Sequence, residues 1–159
     1  MIFRQYKKYP KFGAFLDNRF PMLEDISPEI FKALVEFCMS EKLARQALTR
    51  GKYPLVTVAV LVNKYTGEVH RRVGGLYSGG CKAAEKNIIW IQKENVVAYE
   101  DGEGNPLLLE RHVLHETVHW ARFIGGKPGR TADNREAGSE FEVKAYNNVR
   151  ASDHWDVSC

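Results

Sequence analysis

The chain predicts an α+β fold: a small mixed or antiparallel sheet packed on one long helix, with a glutamate-bearing helix after it. Three observations carry this. Helical periodicity occupies both ends of the chain. Two runs dense in β-branched residues, 54–62 and 88–91, lie between them. Residues 105–126 read as one helix that carries His115-Glu116-x-x-His119. Helices, then strands, then two helices is the order of an α+β domain. We expect one domain over residues 1–159, long enough to bury a real core.

Residues 1–26 mix basic and aromatic side chains, and Pro10, Gly13 and Pro21 interrupt any period, so an irregular lead-in is expected. Ser27-Pro28 opens a helix, with serine as cap and proline at the first position. Ile30, Leu34 and Cys38 form its inner face. Ser40 caps a second helix that Gly51 stops. Pro54 to Val62 reads as a strand buried on both faces, and Glu68 to Val73 as its antiparallel return. Gly74-Gly75 and Gly79-Gly80 bracket a flexible loop. Ile88 to Ile91 is a strand, read as an edge open to an extended substrate backbone. Residues 94–100 fit a helix or a strand equally. A last helix is expected from about Asp133 to Asn148, followed by a polar tail, 151–159.

Composition excludes several functions. Net charge is only +3 with no long basic block, which argues against nucleic acid. No apolar run reaches membrane-spanning length. Met1-Ile2-Phe3-Arg4 leads into a basic stretch without the apolar core of a signal peptide, so synthesis in the cytoplasm is expected. Cys38, Cys81 and Cys159 are odd in number and include no Cys-x-x-Cys pair; Cys38 reads as core filling.

The chemistry lies at residues 115–119. On a helix, His115 and His119 sit about 40° apart around the axis, with Cβ atoms about 6 Å apart, so two imidazoles reach one metal ion. Glu116 is turned by about 100° and reaches a water beside that metal as general base. This is the metallopeptidase pattern, and it implies one zinc per chain. Ordinary residue frequencies give the pattern by chance in roughly one such chain in a few hundred. The helical setting strengthens it: Asn105-Pro106 starts the helix, Gly125-Gly126 ends it, and Leu107, Leu114, Val118 and Ala121 form an apolar face. The competing reading is two ordinary, partly buried polar histidines.

A catalytic zinc needs a third protein ligand. No third histidine follows at the His-x-x-Gly-x-x-His spacing, which leaves Glu136, Glu140 and Glu142. Glu136 suits a capping box with Asp133, and Glu140 pairs with Lys144 at i, i+4. Glu142 stands on a small or apolar face and wants a cation, either the metal or a base such as Arg150. Glu142 is therefore placed first and Glu136 second. Tyr146, His154 and Arg150 are candidate donors to the oxyanion, and His112 lies one turn before His115.

Leu114-His115-Glu116-Thr117-Val118-His119-Trp120, followed by Glu136-x-Gly138-x-x-Phe141-Glu142-x-x-Ala145-Tyr146, resembles the zinc metallopeptidase toxin domains of bacterial secretion systems. These include domains fused to type VI secretion spike proteins, which are similar to the fungal deuterolysins. Deuterolysins use an aspartate as third ligand, followed shortly by Tyr-Gly; here Asn147 stands where that glycine would be. The resemblance covers residues 107–149. It implies a zincin-like domain with a single zinc, peptide-bond hydrolysis, and a role as toxin or effector delivered to another cell or its periplasm. The partners would be a peptide or protein substrate and an immunity protein. A zinc-containing binding module without turnover, and a zinc amidase acting on cell-wall peptides, are the alternatives.

Overall fold

The structure, a computed structural model, describes residues 1–62, 66–69, 73–79 and 83–147. Arg150, His154, Cys81, Cys159, the tail and part of the expected return strand lie outside the described residues. Among the described residues the fold is mixed α+β, with seven α-helices and a four-stranded mixed sheet.

The strands are β1 (Ile2–Phe3), β2 (Leu55–Ala59), β3 (Gly75–Leu76) and β4 (Ile88–Gln92), in the order β1-β2-β4-β3. β1 and β4 both run parallel to β2, with Val56 opposite Ile89 and Val58 opposite Ile91. β3 runs antiparallel to β4, with Gly75 opposite Ile91. Two sequence expectations change here. β4 is paired on both sides, so the edge beside it is β3, inside the stretch read as a flexible loop. β2 alternates: Val56 and Val58 are buried, while Leu55, Thr57 and Ala59 are half-covered, so only one face meets the main core. The parallel β2–β4 pair requires a long crossover, and that connection is where the chain places β3.

The first 26 residues are not irregular. They form β1, α1 (Pro10–Arg19) and α2 (Leu23–Ile26). Phe12, Leu16, Phe20 and Leu23 recur at helical spacing and are all buried. Pro10 does not interrupt α1; it occupies its first turn, where its missing N–H costs nothing. Gly13 sits inside α1 because the Tyr6 ring fills the space beside it: a Cβ there would lie 2.4 Å from the ring.

α3 (Pro28–Cys38) and α4 (Glu41–Leu48) form where expected; Ser40 Oγ accepts from the Leu43 N–H at 3.3 Å, whereas Ser27 Oγ makes no cap bond and instead accepts from Arg19. Phe31, Leu34 and Cys38 face the core. Burial pushes the Cys38 thiol up to about 12, which suits a core residue and not a nucleophile. Residues 93–101 form α5 (Lys93–Asp101), started by the Gln92 side chain and stopped by Gly102 at φ +85°.

α6 (Pro106–Ile124) is the central helix. Leu109 to Val118 are all buried, and α6 packs against β3, β4, α3, α4, α5 and α7 (Ala137–Ala145). Leu107, expected on its apolar face, is exposed. A helix surrounded in this way must pair every charge it carries. Glu110 bonds Arg19 and Tyr146, and Arg122 donates to three carbonyls. No helix among the described residues is long and apolar enough to cross a membrane.

Candidate metal centre

α6 is set by local signals. Asn105 Oδ1 accepts from the Leu107 N–H at 2.9 Å, and Pro106 takes the first helical position. Gly126, at φ +66°, turns the chain out at the other end. His115 and His119 then lie one turn apart with ring centroids 5.0 Å apart and Nε2 atoms 3.2 Å apart. Two nitrogens on a tetrahedral zinc, each at about 2.05 Å, stand about 3.3 Å from one another. The two rings therefore aim at a common point with the spacing a single ion requires.

The third group at that point is Glu136. Its Oε1 lies 2.5 Å from His119 Nε2 and its Oε2 lies 3.6 Å from His115 Nε2. Among the described residues, His115, His119 and Glu136 bring one ligand atom each to within 4.8 Å of one another. The loop between α6 and α7 delivers it. Arg122, buried on α6, donates to the carbonyls of Pro128 (2.6 Å), Phe37 (2.9 Å) and Arg130 (2.9 Å). The Ala137 N–H reaches back to the Gly129 carbonyl at 3.1 Å, and the Thr131 N–H to that of Arg135 at 2.8 Å. The loop is thus a closed hairpin tied to α6 at its base.

Glu136 is also the N-cap of α7. Its carboxylate accepts from the N–H groups of Gly138 (2.8 Å) and Ser139 (2.6 Å). Burial alone would push this carboxyl up. Its bond to His119, the charges of both histidines and the Ser139 N–H outweigh burial and hold it well below the usual glutamate range. Burial likewise disfavours a charged His119, but the bond to Glu136 and the charges of Glu136 and Glu116 raise it above the ordinary imidazole value.

Glu142, placed first as third ligand from the sequence, is elsewhere. It is fully buried, with Oε1 2.9 Å from His115 Nδ1, across the ring from the Nε2 that faces Glu136. Its Oε2 lies 3.4 Å from Arg111 Nη2. The expectation that this carboxylate needs a cation holds, but the cation is Arg111. Capping and facing the histidines are not competing tasks for Glu136. α7 begins at Ala137 rather than Asp133, and the cap carboxylate itself meets the imidazoles. Glu140 pairs with Arg135 at 3.3 Å, while Lys144 reaches Glu36 on α3 at 2.5 Å.

Glu116 is buried on α6, and the edge strand lies against it: a Cβ at Gly75 would stand 2.6 Å from Glu116 Cγ. Gly74 packs in the same way on the His112 ring, whose Nδ1 is 3.5 Å from Asn95 Nδ2. Gly138 lies flat on His115; a Cβ there would stand 2.5 Å from the ring. Tyr146 does not face the histidines. Its hydroxyl donates to Glu110 Oε1 at 2.9 Å, roughly 140° around α6 from His115. Burial and Glu110 push that phenol well above its ordinary value. Glu136, second among the sequence candidates, is the facing carboxylate; Arg122 as the loop clamp and the close-packed glycines were not among the sequence candidates. The signal for the last was the density of glycine at 74–75 and 138, at a strand and inside a helix where glycine is otherwise unfavourable.

A buried histidine and a half-buried one with a carboxylate at their Nε2 atoms form a donor set suited to a divalent metal. No curated protein and no solved structure matches this chain. A family model described as metallopeptidase toxin 3 matches residues 5–147, from just after β1 through α7. The chain therefore belongs to the metallopeptidase toxin 3 family.

Proposed function

We propose that the chain is a zinc-dependent peptidase toxin whose ion is held by His115, His119 and Glu136. The observation that carries this reading is the meeting of those three side chains, with the Nε2 atoms 3.2 Å apart and a carboxylate held ionised beside them. Two imidazoles and one carboxylate are neutral and anionic donors of the kind catalytic zinc takes, and three ligands leave a position for water or substrate. Zinc bound there would polarise a peptide carbonyl and make water acidic enough to be deprotonated near neutral pH.

The chain's own residues supply the rest. Glu116 takes the proton from the attacking water and passes it to the leaving amine. Its place against Gly75 keeps that carboxylate beside the β3 edge, where an extended peptide would lie. His115 and His119 hold their positions through Glu142 and Glu136. A structural zinc site would be closed by four protein ligands and would have no use for Glu116. The resemblance to secretion-system toxin domains supports delivery into another cell, with an immunity protein in the producer.

Elemental analysis tests the assignment. Purified wild type should carry about one zinc per chain, and His115→Ala should carry almost none. Equal zinc in both would sink it. A substrate panel of folded proteins, unfolded proteins and cell-wall peptides then divides peptidase from amidase.

A further inference from the structure

We infer that Glu142, backed by Arg111, is a positioning residue for the metal centre: it fixes the proton of His115 on Nδ1 and so keeps the Nε2 lone pair directed at Glu136 and His119. The inference rests on His115 being a zinc ligand. Three features of the structure support it. Glu142 is fully buried, and its Oε1 lies 2.9 Å from Nδ1, a distance at which one partner must donate. An ionised carboxylate can only accept, so the proton belongs to the ring. The Arg111 guanidinium, 3.4 Å from the other carboxylate oxygen, favours that ionised form.

The third feature is the shape of α7. Glu136 at its N-cap faces His115 Nε2, Glu142 in its second turn holds Nδ1, and Gly138 between them leaves room for the flat of the ring. α7 thus grips both nitrogens of one imidazole with two carboxylates of different duty. Groups that orient a metal-bound histidine in this way typically change metal affinity by ten- to about a hundredfold when removed. Glu142 is not a catalytic residue on this reading, because it touches neither the ion's point nor a substrate.

Two measurements test the inference. Zinc affinity, read by competition with a chromogenic chelator, should fall roughly ten- to a hundredfold in Glu142→Ala. Most of that loss should return in Glu142→Gln, whose amide oxygen still accepts the ring proton. The second measurement is nitrogen NMR of the histidine rings in zinc-free wild type, at a pH where the rings are neutral. It should show His115 protonated on Nδ1, and a packing role for Glu142 would not dictate that. Wild-type zinc affinity in folded Glu142→Ala, or an Nε2-protonated His115 in wild type, would overturn the inference. If the alanine variant does not fold, the ring spectrum of wild type still decides. Failure of wild type to bind zinc would sink the metal reading, while the ring proton would still report on Glu142 alone.

Discussion

On the proposed reading, Glu116 is the residue on which turnover depends. Glutamine keeps its shape and cannot accept the water's proton. Glu116→Gln should therefore retain zinc and lose at least about 10²-fold in cleavage rate, measured with any peptide that wild type cleaves. Gly138 makes a sharper test, because two effects oppose there. Alanine is better than glycine in a helix by about 1 kcal/mol. A Cβ at position 138, however, would stand 2.5 Å from the His115 ring, closer than atoms can approach. We expect the clash to win: Gly138→Ala should weaken zinc binding by at least about tenfold, on the scale of a lost orienting contact. A variant that melts higher and binds zinc normally would show that the ring yields freely. The meeting of His115 with His119, and the place of Glu116 on the same helix, were legible in the sequence because their relation is a spacing within one helix. The division of tasks between Glu136 and Glu142 was not. Which carboxylate faces which ring nitrogen depends on where α7 starts, and that start is fixed by contacts across the chain.

At the level of elements, the same division between local and distant causes recurs. α4 and α6 could be read from Ser40 and Asn105-Pro106, and α3 from Pro28 at its first position, since a cap or an opening proline acts on its own first turn. β3 was read as loop because a two-residue strand is created by its partner β4, not by its own residues. α1 was missed because Gly13 and Pro10 resemble breaks until Tyr6 and the helix start account for them. The α6–α7 loop hangs on Arg122. Two hydrogen bonds from a charged donor, to the Pro128 and Arg130 carbonyls and each worth roughly 1.5–3 kcal/mol, hold the hairpin that presents Glu136, and a third anchors Arg122 itself to the Phe37 carbonyl on α3. Arg122→Met should free it: limited proteolysis should cut between Lys127 and Arg135, where wild type resists, and zinc affinity should fall with it. Resistance equal to wild type would mean that the hairpin's own backbone bonds suffice.

For the molecule as a whole, the metal-free protein should be most stable in mildly acidic solution. His119 is raised above 6.5 in the folded state, so its contribution is complete below that pH and disappears as pH climbs through the raised value. Glu136 is lowered from 4.5, so its contribution is present above that pH and disappears as pH falls through the lowered value. Both act together between 4.5 and 6.5. Thermal melts of zinc-free protein should peak in that window, and His119→Gln should remove the alkaline decline. With zinc in excess, the peak should move to higher pH, because the ion binds neutral imidazole. At a zinc concentration a thousandfold above Kd, the gain is about 4 kcal/mol. A zinc-free melting curve that rises steadily through pH 8 would contradict the His119–Glu136 pairing. The capping role of Glu136 also bears on the order of events. A carboxylate already satisfied by the first amides of α7 does not wait for an ion to find its place. On the proposed reading, the receptacle is finished before its occupant arrives. Folding and arming are then separate steps, and the onset of activity follows the supply of zinc rather than the speed at which the chain folds.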